Sequence, residues 1–209
     1  MDTLNWDTLV VGGTVLTMEP GSEPITDGAV AVANGRIAAV GLAEDLLEIA
    51  PTGEVVNAGG CLILPGLVNT HSHLAMTLLR GLADDLPLMQ WLENHIWPAE
   101  KTHMNRETVR LGTELSVAEQ LLAGVTTTTD MYFFGNEVAA VLAEAGMRGV
   151  IAESLIDFAT PRCQTPEEMM EKQRELAEEY RDHPLITPSV AAHAPYTVSA
   201  SNLIKEAEL

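Results

Sequence analysis

Two histidines one residue apart, His71 and His73 in the stretch PGLVNTHSH, are the residues best suited to do chemistry in this chain. On an extended strand, side chains at i and i+2 project from the same face. Two imidazoles side by side fill a core poorly, because each ring carries polar nitrogens that need partners. The same pair is a good start for a site that holds a divalent metal. The apolar run LILPGLVNT predicts a strand that delivers both rings at its end. Asp130 follows VTTTT and His193 follows LITPSVAA, so polar groups stand at three predicted strand ends. Asp130 reads as a cap or hydrogen-bonding residue and is given a structural role. His95, His103 and His183 fall in helical or loop sequence and read as solvated.

The elements that must position these residues change character along the chain. DTLVVGGTVLTM and DGAVAVANGRIAAVG are strand-like, and Asn34-Gly35 predicts a two-residue hairpin turn. A short helix is expected over 42–49, then the extended piece EVVNAGGCLILPG. Residues 1–60 thus read as a small β-rich unit. From residue 61 to 209 strand and helix alternate. CLILPGLVNTHSH, GVTTTTDMYF, RGVIAESLIDF and LITPSVAAHA are the strands. Helices are expected over 105–123, ending at Gly124, and over 136–145, ending at Gly146. A third starts at Thr165-Pro166 with Glu167 and Glu168 in its first turn, and a fourth from Ser199. Four such repeats predict parallel βα units. They make half of a (β/α)8 barrel or an open doubly wound sheet, and no G-x-G-x-x-G or P-loop favours the open sheet.

The composition narrows the partners. Of 209 residues 46% are hydrophobic and 20% charged, which suits a globular protein of one or two domains. The net charge of −19, from 30 acidic and 11 basic residues, repels phosphate backbones and anionic lipid, so neither nucleic acid nor membrane is expected as a partner. Two cysteines, Cys61 and Cys163, make no disulfide framework. The N-terminal sequence lacks a signal-peptide pattern, and the expected compartment is the cytoplasm.

The stretch PGLVNTHSHLAMTLLRGLADDLPLMQWLENHIWPAE resembles the first barrel strand and following lid segment of the amidohydrolase superfamily. With LAGVTTTTDMY and VAAHAPYTVS, the resemblance covers essentially the whole chain. Within the superfamily it is similar to the 5-methylthioadenosine/S-adenosylhomocysteine deaminases and their chlorohydrolase-like relatives. The resemblance implies the first half of a (β/α)8 TIM-type barrel preceded by a small β-sandwich unit, and hydrolytic deamination of adenine nucleoside thioethers. It implies that His71 and His73 are the first two ligands of one divalent metal ion, zinc, and that Glu100 and His193 bind the nucleoside. Superfamily members with two metals bridge them through a carbamylated lysine on the fourth strand; the absence of lysine from LITPSVAAHAPY agrees with one. Arginines that contact substrate near the third strand have no match: Glu153 and Ser154 stand there, and Arg162 lies in the next loop.

The resemblance also implies ligands and an acid/base glutamate on later strands, beyond Leu209, so no catalytic residue is assigned within the chain. The 209 residues are expected to be the N-terminal part of a longer enzyme and to be inactive alone. The alternatives are an amidohydrolase acting on guanine, a triazine or another cyclic C–N compound, and a half-barrel that needs a complementary chain. A homo-oligomer is a further expectation.

Overall fold

In the computed structural model, which describes residues 6–48 and 53–209, the chain divides into two units, Met1–Pro65 and Gly66–Leu209. In the first unit β1 (Thr8–Val15) is central. It runs antiparallel to β2 (Ile25–Ala33), which turns into β3 (Arg36–Leu42). Asn34 and Gly35 form the turn with φ of 53° and 70°, the left-handed geometry that a tight hairpin requires. A short helix α1 (Ala43–Leu47) follows; Ile49 of the expected helix lies outside the described residues. Strands β4 (Glu54–Asn57) and β5 (Leu62–Ile63) pair parallel with β1. Trp6, Leu9, Ala29, Ala31 and Leu46 are the buried centre of this unit. The described strands make one five-stranded sheet, where a sandwich has two layers.

The segment Cys61–Leu64 departs from expectation. It does not continue into the strand that carries the histidines; Leu62 and Ile63 pair with Thr14 and Val15 in the first sheet. Pro65, which has no N–H to donate to a ladder, separates the two strands. Gly66 follows, where a Cβ would stand 2.1 Å from Thr126 Oγ1, so only glycine allows the close approach.

The second unit begins with β6 (Leu67–Ser72) and a 3₁₀ turn at Leu74–Leu79. Helix α2 (Leu88–Trp91) runs through a π turn at Leu92–Ile96 into α3 (Trp97–His103). Then come α4 (Arg106–Leu122), β7 (Val125–Tyr132), α5 (Gly135–Ala145), β8 (Arg148–Leu155) and α6 (Pro166–Glu179). The last elements are β9 (Ile186–Pro188), β10 (Ala191–Ala192) and α7 (Ala200–Glu206). The caps follow the local chemistry. Asn105 and Thr108 form a reciprocal capping box, Thr165 accepts from the Glu168 N–H, and Gly124 and Gly146 adopt positive φ after their helices.

All strand pairs in this unit are parallel, in the order β6-β7-β8, with β9 and β10 both on β8. Neighbours in sequence are neighbours in the sheet. A doubly wound sheet reverses its strand order at a switch point; this one does not, and it is a partial barrel wall. Val109, Val117, Val138, Leu142, Ile151, Leu155, Met169 and Leu176 pack the helices onto it. The expected fourth strand is broken in two at Pro188, after which Ser189 N–H bonds to the Ile151 carbonyl. Among the described residues no helix is long and apolar enough to cross a membrane.

Candidate active site

The histidine pair stands where β6 ends. The rings of His71 and His73 lie 5.2 Å apart, centroid to centroid, and nearly perpendicular. His71 is exposed and His73 half-buried. The neighbouring strand holds this strand end in place. Ser72 Oγ–H donates to the Thr129 carbonyl at 2.7 Å, and His73 Nδ1–H donates to the Met131 carbonyl at 2.6 Å. Leu74 N–H donates to Asp130 Oδ1 at 2.5 Å. Asp130, 1% exposed, therefore fixes the turn out of the strand, the structural role expected of it. Its Oδ2 has no hydrogen-bond partner among the described residues, and burial pushes the carboxyl up to about 7.

The bond to Met131 assigns the proton to Nδ1 of His73 and leaves Nε2 as the free lone pair. Burial holds this imidazole below its usual range; the Met131 bond opposes that, and His71 adds to it. A neutral ring with one oriented lone pair is the form that ligates a metal. Among the described residues no group of three or more His, Cys, Asp or Glu side chains is arranged to hold an ion.

His73 also lines a cavity of about 190 Å³. Glu100 and His193 reach the same cavity, from α3 and from the segment after β10; its other walls include Trp91, Trp97, Met131, Tyr132, Phe133 and Ser154. His193 Nδ1 is 2.8 Å from Thr197 Oγ1. Its pKa is lowered, first by burial and then by the charge of His73. Glu100 is 5% exposed and accepts a 2.7 Å hydrogen bond from Tyr132 Oη–H on Oε1. Burial raises its carboxyl to about 7, against the pull of the Tyr132 bond. Three of the four predicted site residues, His73, Glu100 and His193, thus share one cavity, and His71 stands beside His73 without lining it.

The raised pKa of Glu100 has a measurable consequence. From an unfolded value of 4.5 to about 7 in the fold, the native chain binds the proton more tightly than the unfolded one. Stability from this group is therefore greatest at acid pH and falls as pH rises through 4.5 to 7. The loss is on the order of 3 kcal/mol at 1.36 kcal/mol per unit. Glu100→Gln is expected to flatten that part of the profile in urea unfolding between pH 5 and 8. An unaltered slope would refute it.

Arg162 does not face the cavity. It pairs with Glu153 Oε2 at 2.6 Å and bonds to Asn136 Oδ1 at 3.0 Å, with its guanidinium 5.5 Å from the centre of the Phe134 ring. Glu153 is on the helix-covered side of β8, and its neighbour Ser154 faces the cavity. His183 is not merely solvated: its Nδ1 accepts from the Leu185 and Ile186 N–H groups.

The model of the amidohydrolase family matches residues 62–208. The chain belongs to the amidohydrolase family. A 5-methylthioadenosine/S-adenosylhomocysteine deaminase of Syntrophobacter fumaroxidans is 47% identical over 199 residues, covering 95% of this chain and 45% of that protein. A solved adenosine deaminase from Xanthomonas campestris with bound zinc is 41% identical with a TM-score of 0.94, covering 98% of this chain and 46% of the other. A triazine hydrolase structure reaches a TM-score of 0.85 at 17% identity over 96% of this chain and 49% of its own, which shows the shared fold. This amidohydrolase chain spans about half the length of the curated relatives it matches.

Tyr132, the Met131 carbonyl and the two cavity tryptophans were not among the residues singled out from sequence. The aromatic cluster in MYFF after a Thr-rich strand, and the two tryptophans of WLENHIW, were the available signals.

Proposed function

We propose that the protein carrying this chain is a zinc-dependent aminohydrolase that deaminates adenine nucleoside thioethers such as 5-methylthioadenosine and S-adenosylhomocysteine. The observation that carries this reading is the pair of adjacent imidazoles beside a half-buried cavity that also holds Glu100 and His193. Two named relatives, 47% and 43% identical, agree with it.

Zinc suits the donor set, because neutral imidazole nitrogen is a ligand it favours. His71 and His73 would hold it, with further ligands from outside the described residues. Such an ion supplies Lewis acidity, which makes water a nucleophile at neutral pH. In the net reaction a C–O bond forms at C6 of the purine, the exocyclic C–N bond breaks and ammonia leaves. The chain's own residues bind and orient. The Met131 carbonyl keeps the His73 proton on Nδ1. The Glu100 carboxylate accepts from the ribose hydroxyls, and His193 contacts the nucleoside. Trp91, Trp97 and Phe133 give apolar walls that exclude water and suit a flat heterocycle. No proton transfer is assigned to a residue of this chain.

The test is the ultraviolet change of deamination. The purified zinc-loaded protein is expected to convert both thioethers to their inosine counterparts. A zinc-replete protein that leaves both unchanged, yet hydrolyses guanine or a triazine, would replace this substrate class with the other.

A further inference from the structure

We propose that Tyr132 is a positioning residue for Glu100, and that β7 sets the spacing between the metal-side and sugar-side edges of the cavity through two consecutive residues. The inference rests on the nucleoside reading above. Met131 uses its backbone carbonyl to fix the His73 ring, and Tyr132 uses its hydroxyl to fix the Glu100 carboxylate. Both sit at the end of one strand, which is hydrogen-bonded along its length to β8 with Met131 opposite Ala152 and Tyr132 opposite Glu153.

The geometry makes Tyr132 a rigid anchor. It is 3% exposed, its ring packs 4.6 Å from Phe133, and its centroid is 6.2 Å from that of His73. Glu100 stands on α3, and its bond to Tyr132 ties that helix to the end of β7. One carboxylate oxygen, Oε1, is taken by the phenol. Oε2 accepts no hydrogen bond among the described residues, although Glu100 lines the cavity. A carboxylate has about four lone-pair positions. Anchoring one of them to a strand directs the others at a ligand with paired donors, and a vicinal diol is such a ligand. A carboxylate buried to this degree would otherwise be costly to keep charged and free to rotate.

The experiment measures equilibrium binding of the deaminated product 5-methylthioinosine, which is not turned over, and of its 2′,3′-dideoxy counterpart to the zinc-loaded protein and to Tyr132→Phe. The wild type is expected to prefer the diol. Loss of a hydrogen bond to a charged group corresponds to about 10-fold or more in Kd. The Phe variant should therefore narrow that preference about 10-fold, with the dideoxy Kd changed less than about 2-fold. A purely structural role would weaken both ligands alike, and that result overturns the proposal, as does an unchanged preference. A wild type indifferent to the diol also overturns it. Should the Phe variant fail to fold, Tyr132→Leu, which keeps an apolar side chain there without a hydroxyl, is read on the same preference. A wild type that binds the diol selectively but leaves 5-methylthioadenosine unchanged defeats the proposed activity and leaves the role of Tyr132 standing.

Discussion

His73→Ala in the zinc-loaded protein is expected to abolish tight metal retention and to lower kcat/KM for deamination at least about 1,000-fold. A metal ion contributes several kcal/mol to such a barrier, and about 4 kcal/mol is that factor. His73 is the better held of the two rings: its Nδ1 is bound to the Met131 carbonyl, while the Ser72 hydroxyl and the Leu74 N–H are tied to Thr129 and Asp130 on either side of it. The orientation of Nε2 is therefore paid in advance by β7 and costs little when an ion binds. His71→Ala should also release the metal. His193→Ala, whose ring is bound to Thr197 rather than to that strand end, should keep it and lose substrate affinity instead. Elemental analysis and deamination rates on the three variants separate the roles. Full zinc content and activity in His73→Ala would remove the basis for the metal assignment.

The histidine pair was legible because its information is local. Alternation along a strand places i and i+2 together whatever the rest of the chain does, and the rings are indeed neighbours. The same holds for the caps at Thr165, Gly124 and Gly146, and for the Asn34-Gly35 turn. The partners of those residues were not legible, because they are set by register between distant strands. Met131 lies 58 residues from His73, and Tyr132 lies 32 from Glu100. Nothing in either segment alone announces the pairing. The break at Pro188 shows a middle case. Its missing N–H was visible in LITPSV, yet the apolar pattern outweighed it and suggested one continuous strand. Arg162 is the opposite of the histidines: near Glu153 in sequence, it became interpretable only once the loop was seen to fold back.

That loop also connects stability with the site. Arg162→Met is expected to destabilise the protein by about 3–5 kcal/mol, the usual result of removing one partner from a buried ion pair. The screening that weakens surface pairs is small here, since the side chains of Arg162 and Glu153 are 14% and 1% exposed. Glu153 also accepts from the Phe134 and Gly135 N–H groups at the start of α5, and these soften the loss without supplying a counter-charge. Burial already raises the Glu153 carboxyl, with Arg162 pulling it back. Without the guanidinium its pKa rises further, so the variant's deficit should be larger at pH 8, where the carboxylate must stay charged, than at pH 5, where it can take up a proton. Urea unfolding at the two pH values measures the difference, and Glu153→Gln added to Arg162→Met should recover part of it. A loss below about 1 kcal/mol at pH 8 would place the pair with exposed ones. The effect should reach the cavity as well. Phe133 lines it one residue before the Phe134 N–H that Glu153 holds, and Ser154 lines it one residue after Glu153 itself. A charge pair on the helix-covered side of β8 thus adjoins two walls of the cavity.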